Sequence, residues 1–349
     1  MSSTDENASP DADREDRPLT LAQLADHAGV SIATVSKVVN GRDSVAPETR
    51  KLVEGLIRRY GYRRQKRPVK AAPLVDVVFH ELRGLYGIEI INGVEAVARR
   101  HHLRVVVSEL GGRRTPGRGW VEDVLTTRPI GVIAVFAELT ADQHQQFRSR
   151  GIPLVFVDPA DDPEPESASV GANNWSGGLA ATRHLLGLGH RRIAVITGPE
   201  HVLSARARLD GYRAALDLAG VPVDPALVRI GDYQIADGLH HTRELLRLSD
   251  PPTAIVAGND GEALGAYQAA AEAGLRIPDD LSVVGYDDLP MAEWTIPPLT
   301  TIRQPLREMA SSAAEMLLTL AHGEPLPHQR VELATELIVR GSTAPPSHL

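Results

Sequence analysis

The sequence predicts a small all-α head joined to a larger α/β body of two doubly wound halves. Three observations carry this expectation. At 349 residues the chain exceeds what a single hydrophobic core usually fills. Its charge is divided: residues 17–70 hold twelve Lys and Arg against four acids, whereas residues 71–349 hold twenty-four against thirty-five. The apolar pattern also changes, from three short helical repeats before residue 62 to strand-like runs alternating with helices from Leu74 onward.

Residues 1–17 read as a disordered acidic tail; the first sixteen carry six acids and one Arg and lack the basic start and apolar stretch of a secretory signal. The head spans residues 18–62. In "LTLAQLADHAG" Thr20 caps a helix with Gln23 reaching back, Leu19 and Leu24 form a hydrophobic staple, and Gly29 ends it. Ser31 caps a second helix in "VSIATVSKVVNG". At about 100° per residue, Val35, Val38 and Val39 share an inward face, and Ala33, Ser36, Lys37 and Asn40 a slim polar outward one. The third helix, in "APETRKLVEGLIRRYGY", starts at Pro47 and turns Leu52, Leu56 and Ile57 inward. A short helix, a glycine turn and a second helix with small hydrogen-bonding residues outward meet the needs of a helix-turn-helix. An ordinary packing domain is the competing reading, but it leaves the coincidence of flat face and basic block unexplained.

Arg63 to Pro73 is basic, proline-bearing and free of apolar periodicity, hence a linker. The body, residues 74–343, shows strands in "LVDVVF", "RVVVSE", "IGVIAVF", "IPLVFVD", "RIAVITG", "TAIVAGND" and "LSVVGYDD". Helices such as "GIEIINGVEAVARRH" and "EALGAYQAAAEAG" lie between them, which implies parallel sheets. Ligands of such sheets bind at the carboxyl ends of the strands.

Several classes are excluded. The chain has no cysteine, so thiol catalysis, disulfides and cysteine metal sites are ruled out. No run of about 18 apolar residues is present to span a membrane. The phosphate loop, the GxSxG elbow and HExxH are all missing, so no catalytic residue, cofactor or metal is expected. The doublets His101-His102 and His240-His241 are read as solvated, because adjacent histidines point to different sides of a helix.

From Leu19 through "GYDDLPMAEWTIPPLTTIRQP" to about Gly341 the sequence resembles the LacI/GalR family of bacterial transcription regulators. The resemblance implies a DNA-binding head and a periplasmic-binding-protein-like body. The N-subdomain would comprise about 74–171 and 304–332, the C-subdomain about 172–303 and 333–343, and residues 344–349 a tail. It further implies a cytoplasmic, nucleoid-associated homodimer that represses carbohydrate-utilisation genes. Its partners would be double-stranded operator DNA and a small saccharide, such as a xylose- or glucose-type oligosaccharide. An intracellular sugar-binding or sugar-processing protein with an accessory basic head is the rival reading.

Carried over by position, Ile32, Ala33 and Lys37 fall at base-contacting sites, and Ser31, Thr34, Ser36 and Asn40 at sites that contact phosphate or support the helix. Lys37 can donate to guanine O6 and N7, a contact worth about 1 to 3 kcal/mol of discrimination; a phosphate contact is the alternative. Relatives carry a hinge-helix leucine that wedges into the minor groove. The linker here has no leucine but Arg63, Arg64, Lys66, Arg67 and Lys70, which favours electrostatic contact instead. In the body the resemblance places Arg208, Asn259, Asp260 and Asp287 in an effector cleft, with Tyr86, Phe136, Tyr233 and Trp294 as ring faces for a sugar. Asp260 has a second reading, as a helix cap. Asn174 and Trp175 are expected to be structural first, and His190, Arg191 and Arg192 to serve packing.

Overall fold

The computed structural model describes residues 21–39, 45–60, 71–82, 84–162 and 167–347. The chain divides into two compact units, residues 1–70 and 71–349. Expectations for the acidic tail, for Leu19, Thr20, Asn40, Arg63 and Arg64, and for most of the linker lie outside the described residues.

In the first unit three helices, α1 (Leu21–Ala28), α2 (Ile32–Val39) and α3 (Pro47–Tyr60), surround one small core. Leu24, Ala25, Ala28, Val35, Val38 and Val53 are buried in it. The α1–α2 turn is a Schellman cap. Gly29 takes a left-handed φ of 62°, Val30 N–H bonds to Ala25 O and Gly29 N–H to Asp26 O. Ser31 Oγ then accepts from Thr34 N at 3.2 Å, capping α2. One expectation is corrected here: Leu52 is 51% exposed, and the inward position belongs to its neighbour Val53, packed beside Leu56 and Ile57. One step of about 100° separates the two, and α1 and α2 occupy the Val53 side.

The second unit holds two six-stranded sheets. The first contains β1 (Ala72–Phe79), β2 (Arg104–Glu109), β3 (Pro129–Val135), β4 (Leu154–Val157) and β5 (Ala168–Ala172). The second contains β6 (Ile193–Thr197), β7 (Val228–Ile230), β8 (Ala254–Ala257), β9 (Ser282–Asp287) and β10 (Thr300–Arg303). Two late strands return to close them: β11 (Arg330–Leu333) joins the first sheet and β12 (Glu336–Ile338) the second. The orders are β11-β5-β4-β3-β1-β2 and β12-β10-β9-β8-β6-β7, parallel throughout except for antiparallel β12. The Val- and Ile-rich runs of β6, β8 and β9 are buried along their whole length, as strands covered on both faces must be.

Helices α4 (Tyr86–Arg100), α5 (Arg118–Thr127) and α6 (Ala141–Arg150) belong to the first lobe. The second lobe carries α7 (Asn174–Gly187), α8 (Leu203–Leu218), α9 (Ile235–Leu245), α10 (Asp260–Glu272) and the single turn α11 (Met291–Trp294). The chain then returns to the first lobe as α12 (Leu306–Ala321), whose Met309, Ala310, Ala313 and Leu317 pack into that lobe's core with α4. The backbone thus passes between lobes three times, between β5 and α7, between β10 and α12, and between β11 and β12. No helix among the described residues is long and apolar enough to cross a membrane.

Candidate functional site

In each lobe the strand order reverses beside the first strand, between β1 and β3 and between β6 and β8. Crevices form at the carboxyl ends of strands at such switch points. The two crevices face each other across a cavity of about 430 Å³. Phe79, His80, Tyr86, Phe136 and Asp158 line it from the first lobe, and Ser204, Arg208, Tyr233, Asn259 and Asp287 from the second. Leu289, Met291 and Gln304 also border it.

Backbone strain concentrates here. Phe136 (φ 50°), Asp158 (48°), Tyr233 (61°) and Asp287 (109°) all adopt left-handed conformations that non-glycine residues avoid. Phe136, Asp158 and Asp287 stand at or directly after the ends of β3, β4 and β9, and Tyr233 three residues beyond β7; all four line the cavity.

Arg208 organises the inner wall. Only 7% exposed, it donates from Nε to Asn174 Oδ1 at 2.8 Å and from Nη1 to Gly258 O at 2.5 Å. Its guanidinium carbon stacks 3.7 Å over the Tyr286 ring. Glycine at 178 makes this placement possible, since a Cβ there would strike the Arg208 backbone as α7 crosses α8. Burial opposes the charge on Arg208, but Tyr233, Tyr286, Asp287 and Asp158 outweigh it and hold its pKa above the usual arginine value.

The acids around it are desolvated. Burial pushes Asp287 up to about 7, against the pull of Arg208 and of the hydrogen bond from Gln304 Nε2 to its Oδ1 at 2.7 Å. Burial also raises Asp158, which accepts from the Tyr86 hydroxyl at 3.4 Å. Tyr233 is pushed up to about 12, again chiefly by burial. The wall therefore offers one fixed cation, strained carboxylates and aromatic faces, a set suited to hydroxyl-rich ligands.

At the mouth the lobes touch. Arg114 Nη2 lies 3.7 Å from Asp232 Oδ1, and Gln234 Nε2 reaches Glu81 Oε2 at 3.5 Å. The Phe136 and Tyr233 rings meet edge to face at 6.1 Å, and Arg114 lies 4.6 Å over Phe136.

Of the eight residues expected in the cleft, Tyr86, Phe136, Arg208, Tyr233, Asn259 and Asp287 line it together. Two do not. Asp260 is wholly buried behind the wall, where its carboxylate accepts from Leu289 N at 2.7 Å and Thr301 Oγ1 at 2.6 Å, and it supports the chain just beyond Asp287. The helix cap is Asn259, whose Oδ1 accepts from Glu262 N. Trp294 is 71% exposed at the far end of α11; Leu289 and Met291 face the cavity from that stretch instead.

Sequence reasoning missed Asp158, Gln304 and Glu262. Asp158 follows β4 directly, the same strand-then-Asp signal that marked Asp287 after β9. Glu262 leaves no such trace. Its carboxyl is fully buried beneath the wall and accepts from Tyr233 N at 3.2 Å and Gly258 N at 3.0 Å, so it fixes two cleft loops at once. Burial pushes it up to about 8, helped by nearby Asp237. Asn174, expected to be structural, is buried and holds Arg208.

In the first unit α2 presents Ile32 (53% exposed), Ala33 and Lys37 outward, with Thr34 and Ser36 half-buried and Val35 and Val38 inside. Ser31 caps the helix from an exposed position. The major groove of B-DNA admits an α-helix, and these are the side chains α2 would present to it.

Known proteins share both parts. A profile described as "Bacterial regulatory proteins, lacI family" matches residues 20–65, and one described as "Periplasmic binding protein-like domain" matches residues 182–343. The HTH-type transcriptional repressor CytR of Escherichia coli (strain K12) is 32% identical over 336 residues, 95% of this chain and 98% of that protein. Among solved structures, a transcriptional regulator CelR–cellobiose complex superposes with a TM-score of 0.70 at 32% identity, covering 93% of this chain and 99% of that one. The lac repressor dimer bound to operator and the anti-inducer ONPF gives 0.68 at 31% identity, covering 94% and 100%. With a helix-turn-helix head, a two-lobed body and similarity over nearly its whole length, the chain belongs to the lacI family of bacterial regulatory proteins.

Proposed function

We propose that the chain is a homodimeric repressor of carbohydrate-utilisation genes that reads operator DNA with α2 and responds to a neutral saccharide in the cleft. The observation that carries this reading is the inner wall, where one buried, pinned Arg208 stands among Asp158, Asp287 and Asn259. Carboxylates accept from sugar hydroxyls, Arg208 donates to ring and hydroxyl oxygens, and Phe136, Tyr86 and Tyr233 supply apolar faces. Asp158 and Asp287, with Glu81 and Asp232 also in the lining, outnumber Arg208 and disfavour anionic ligands such as sugar phosphates. A glucose- or xylose-type oligosaccharide is our assignment; the cellobiose bound by CelR, similar in sequence and fold, supports the glucose-type class.

We read the cleft as a binding site, not a catalytic one. Its strongest groups are held in fixed positions, Arg208 by Asn174 and Gly258 and Asp287 by Gln304, with Arg208 Nη2 and Asp287 Oδ2 left to meet a ligand. Two heads would engage a near-palindromic operator with half-sites about 10 to 10.5 base pairs apart. This target places the protein in the cytoplasm, on the nucleoid. Saccharide and DNA then change each other's affinity by the same factor, set by how differently each binds the two body conformations.

Calorimetric titration with glucose, cellobiose, xylose and xylobiose, beside glucose 6-phosphate, tests the ligand class. One of the neutral sugars binds and alters operator affinity; binding by the phosphate alone refutes the assignment. Deleting residues 17–62 abolishes operator binding, and tight binding without them refutes the regulator reading.

A further inference from the structure

The corner between β7 and α9 carries donor atoms that the cleft does not use. His240, His241 and Glu244 stand within about one turn of α9. Contrary to the expectation from their adjacency, both rings converge on the same carboxylate. His240 Nε2 lies 3.5 Å from Glu244 Oε1, and His241 Nδ1 lies 3.6 Å from Oε2. The three donor atoms lie within 4.8 Å of one another, and the two His–Glu separations are near the roughly 3.3–3.4 Å between tetrahedral ligands at bonds of about 2.0–2.1 Å, so a small side-chain adjustment would bring all three onto one ion.

His241 Nδ1 is the deciding atom. Its partner nitrogen Nε2 sits 2.9 Å from the Ile230 carbonyl oxygen. A carbonyl only accepts, so Nε2 carries the hydrogen, and Nδ1 of the neutral ring is a bare lone pair. That atom is buried, has no hydrogen-bond partner among the described residues, and faces a carboxylate oxygen. Two electron-rich atoms in this relation suit a cation between them, either a proton or a metal ion. An imidazole that donates one N–H to a backbone carbonyl and turns its other nitrogen to the centre has the usual arrangement of a metal-binding histidine. Arg229 Nε, 3.7 Å from Glu244 Oε2, orients the carboxylate from outside the cluster.

We propose that His240, His241 and Glu244 bind a divalent transition-metal ion of the Zn²⁺ class. Two imidazoles and one carboxylate suit Zn²⁺, Co²⁺, Ni²⁺ or Cu²⁺, whereas Mg²⁺ and Ca²⁺ prefer oxygen ligands throughout. Water completes the shell on the side where His240 is exposed. The ion locks the His241 ring and through it Ile230, the last residue of β7, three residues before Tyr233 of the cleft.

The test uses the full chain stripped with a chelator and titrated with zinc chloride by equilibrium dialysis. The wild type binds one more equivalent than the His240→Ala/His241→Ala double variant, and each single variant weakens that equivalent about tenfold or more. Bound Co²⁺ gives a visible absorption band that the double variant loses, and excess Mg²⁺ does not displace it. Glu244→Gln, which keeps the side-chain shape, weakens binding while circular dichroism stays unchanged, which separates loss of a ligand from loss of fold. If the folded double variant binds as many equivalents as the wild type with the same Co²⁺ spectrum, a proton alone occupies the gap and the proposal fails.

Discussion

Glu262→Gln tests whether a buried carboxyl holds the cleft loops in the way its contacts suggest. Each carboxyl oxygen accepts one backbone N–H, from Tyr233 and from Gly258. Gln keeps the volume but turns an amide NH₂ toward one of these donors, leaving a buried N–H unpaired at about 1–3 kcal/mol. pH adds a second, opposing effect. A carboxyl whose folded pKa is raised from 4.5 to about 8 contributes stability that is fully present below the lower value and lost as pH rises through the upper one. Between pH 6 and pH 9 the wild type therefore loses on the order of 3 kcal/mol through this one group, and the Gln variant loses none of that share. Urea unfolding followed by tryptophan fluorescence at the two pH values measures both effects. The variant is the less stable protein at pH 6, and the gap closes or reverses at pH 9. A gap that stays constant across this range would refute the reasoning, since Glu262 would then ionise as an ordinary carboxyl.

Arg208→Lys removes the planar fork that bridges Asn174 and Gly258 and stacks on Tyr286, so saccharide affinity falls at least about tenfold in calorimetry while operator binding without sugar persists. Trp294→Ala leaves saccharide affinity within about twofold, because the ring lies outside the cavity, whereas Phe136→Ala lowers it by about 0.5–1.5 kcal/mol or more. Lys37→Ala lowers discrimination at one operator base pair by about 1–3 kcal/mol in competition binding; a uniform loss across sequences would assign Lys37 to phosphate instead. With little beyond Lys37 to read bases and a linker rich in Arg and Lys, operator affinity falls steeply as salt rises from 50 to 200 mM, by roughly 10³ or more if six phosphates are neutralised.

Legibility followed burial together with apolar composition. The runs "IGVIAVF", "RIAVITG" and "LSVVGYDD" could be read as central strands because β3, β6 and β9 are buried along nearly their whole length. Strands β5, β7, β10, β11 and β12 escaped notice: β7, β11 and β12 are three or four residues long and half-exposed at sheet edges, where pattern carries little information, while β5 and β10, though largely buried, hold only one large apolar residue each, Val170 and Ile302. The same limit explains Leu52 and Val53, where two adjacent apolar residues on a short helix left the inward direction to tertiary packing. Site residues set directly by strand ends were readable, as Asp287 was. Those that act through backbone contacts from a neighbouring helix, Glu262 above all, were not, because nothing in "NDGEALG" shows that two loops will bring their N–H groups to that carboxyl. Nor could the meeting of His240 and His241 at Glu244 be read, since it depends on rotamers rather than on helical spacing.

The division of the cleft between two lobes is what can turn a binding site into a switch. Direct contacts across its mouth are weak: a 3.7 Å ion pair with Asp232 largely exposed, one 3.5 Å hydrogen bond and an edge-to-face ring pair. Such contacts contribute at most about 1.5 kcal/mol each. Moving a two-state equilibrium from 1:99 to 99:1 requires about 5.5 kcal/mol of differential affinity. Tyr86 and Asp158 stand on one lobe and Arg208, Asn259 and Asp287 on the other, so only a closed cleft lets one saccharide meet both sets. A few charge-assisted hydrogen bonds gained only on closure, at about 1.5–3 kcal/mol each, reach that threshold; a ligand confined to one lobe binds without shifting anything.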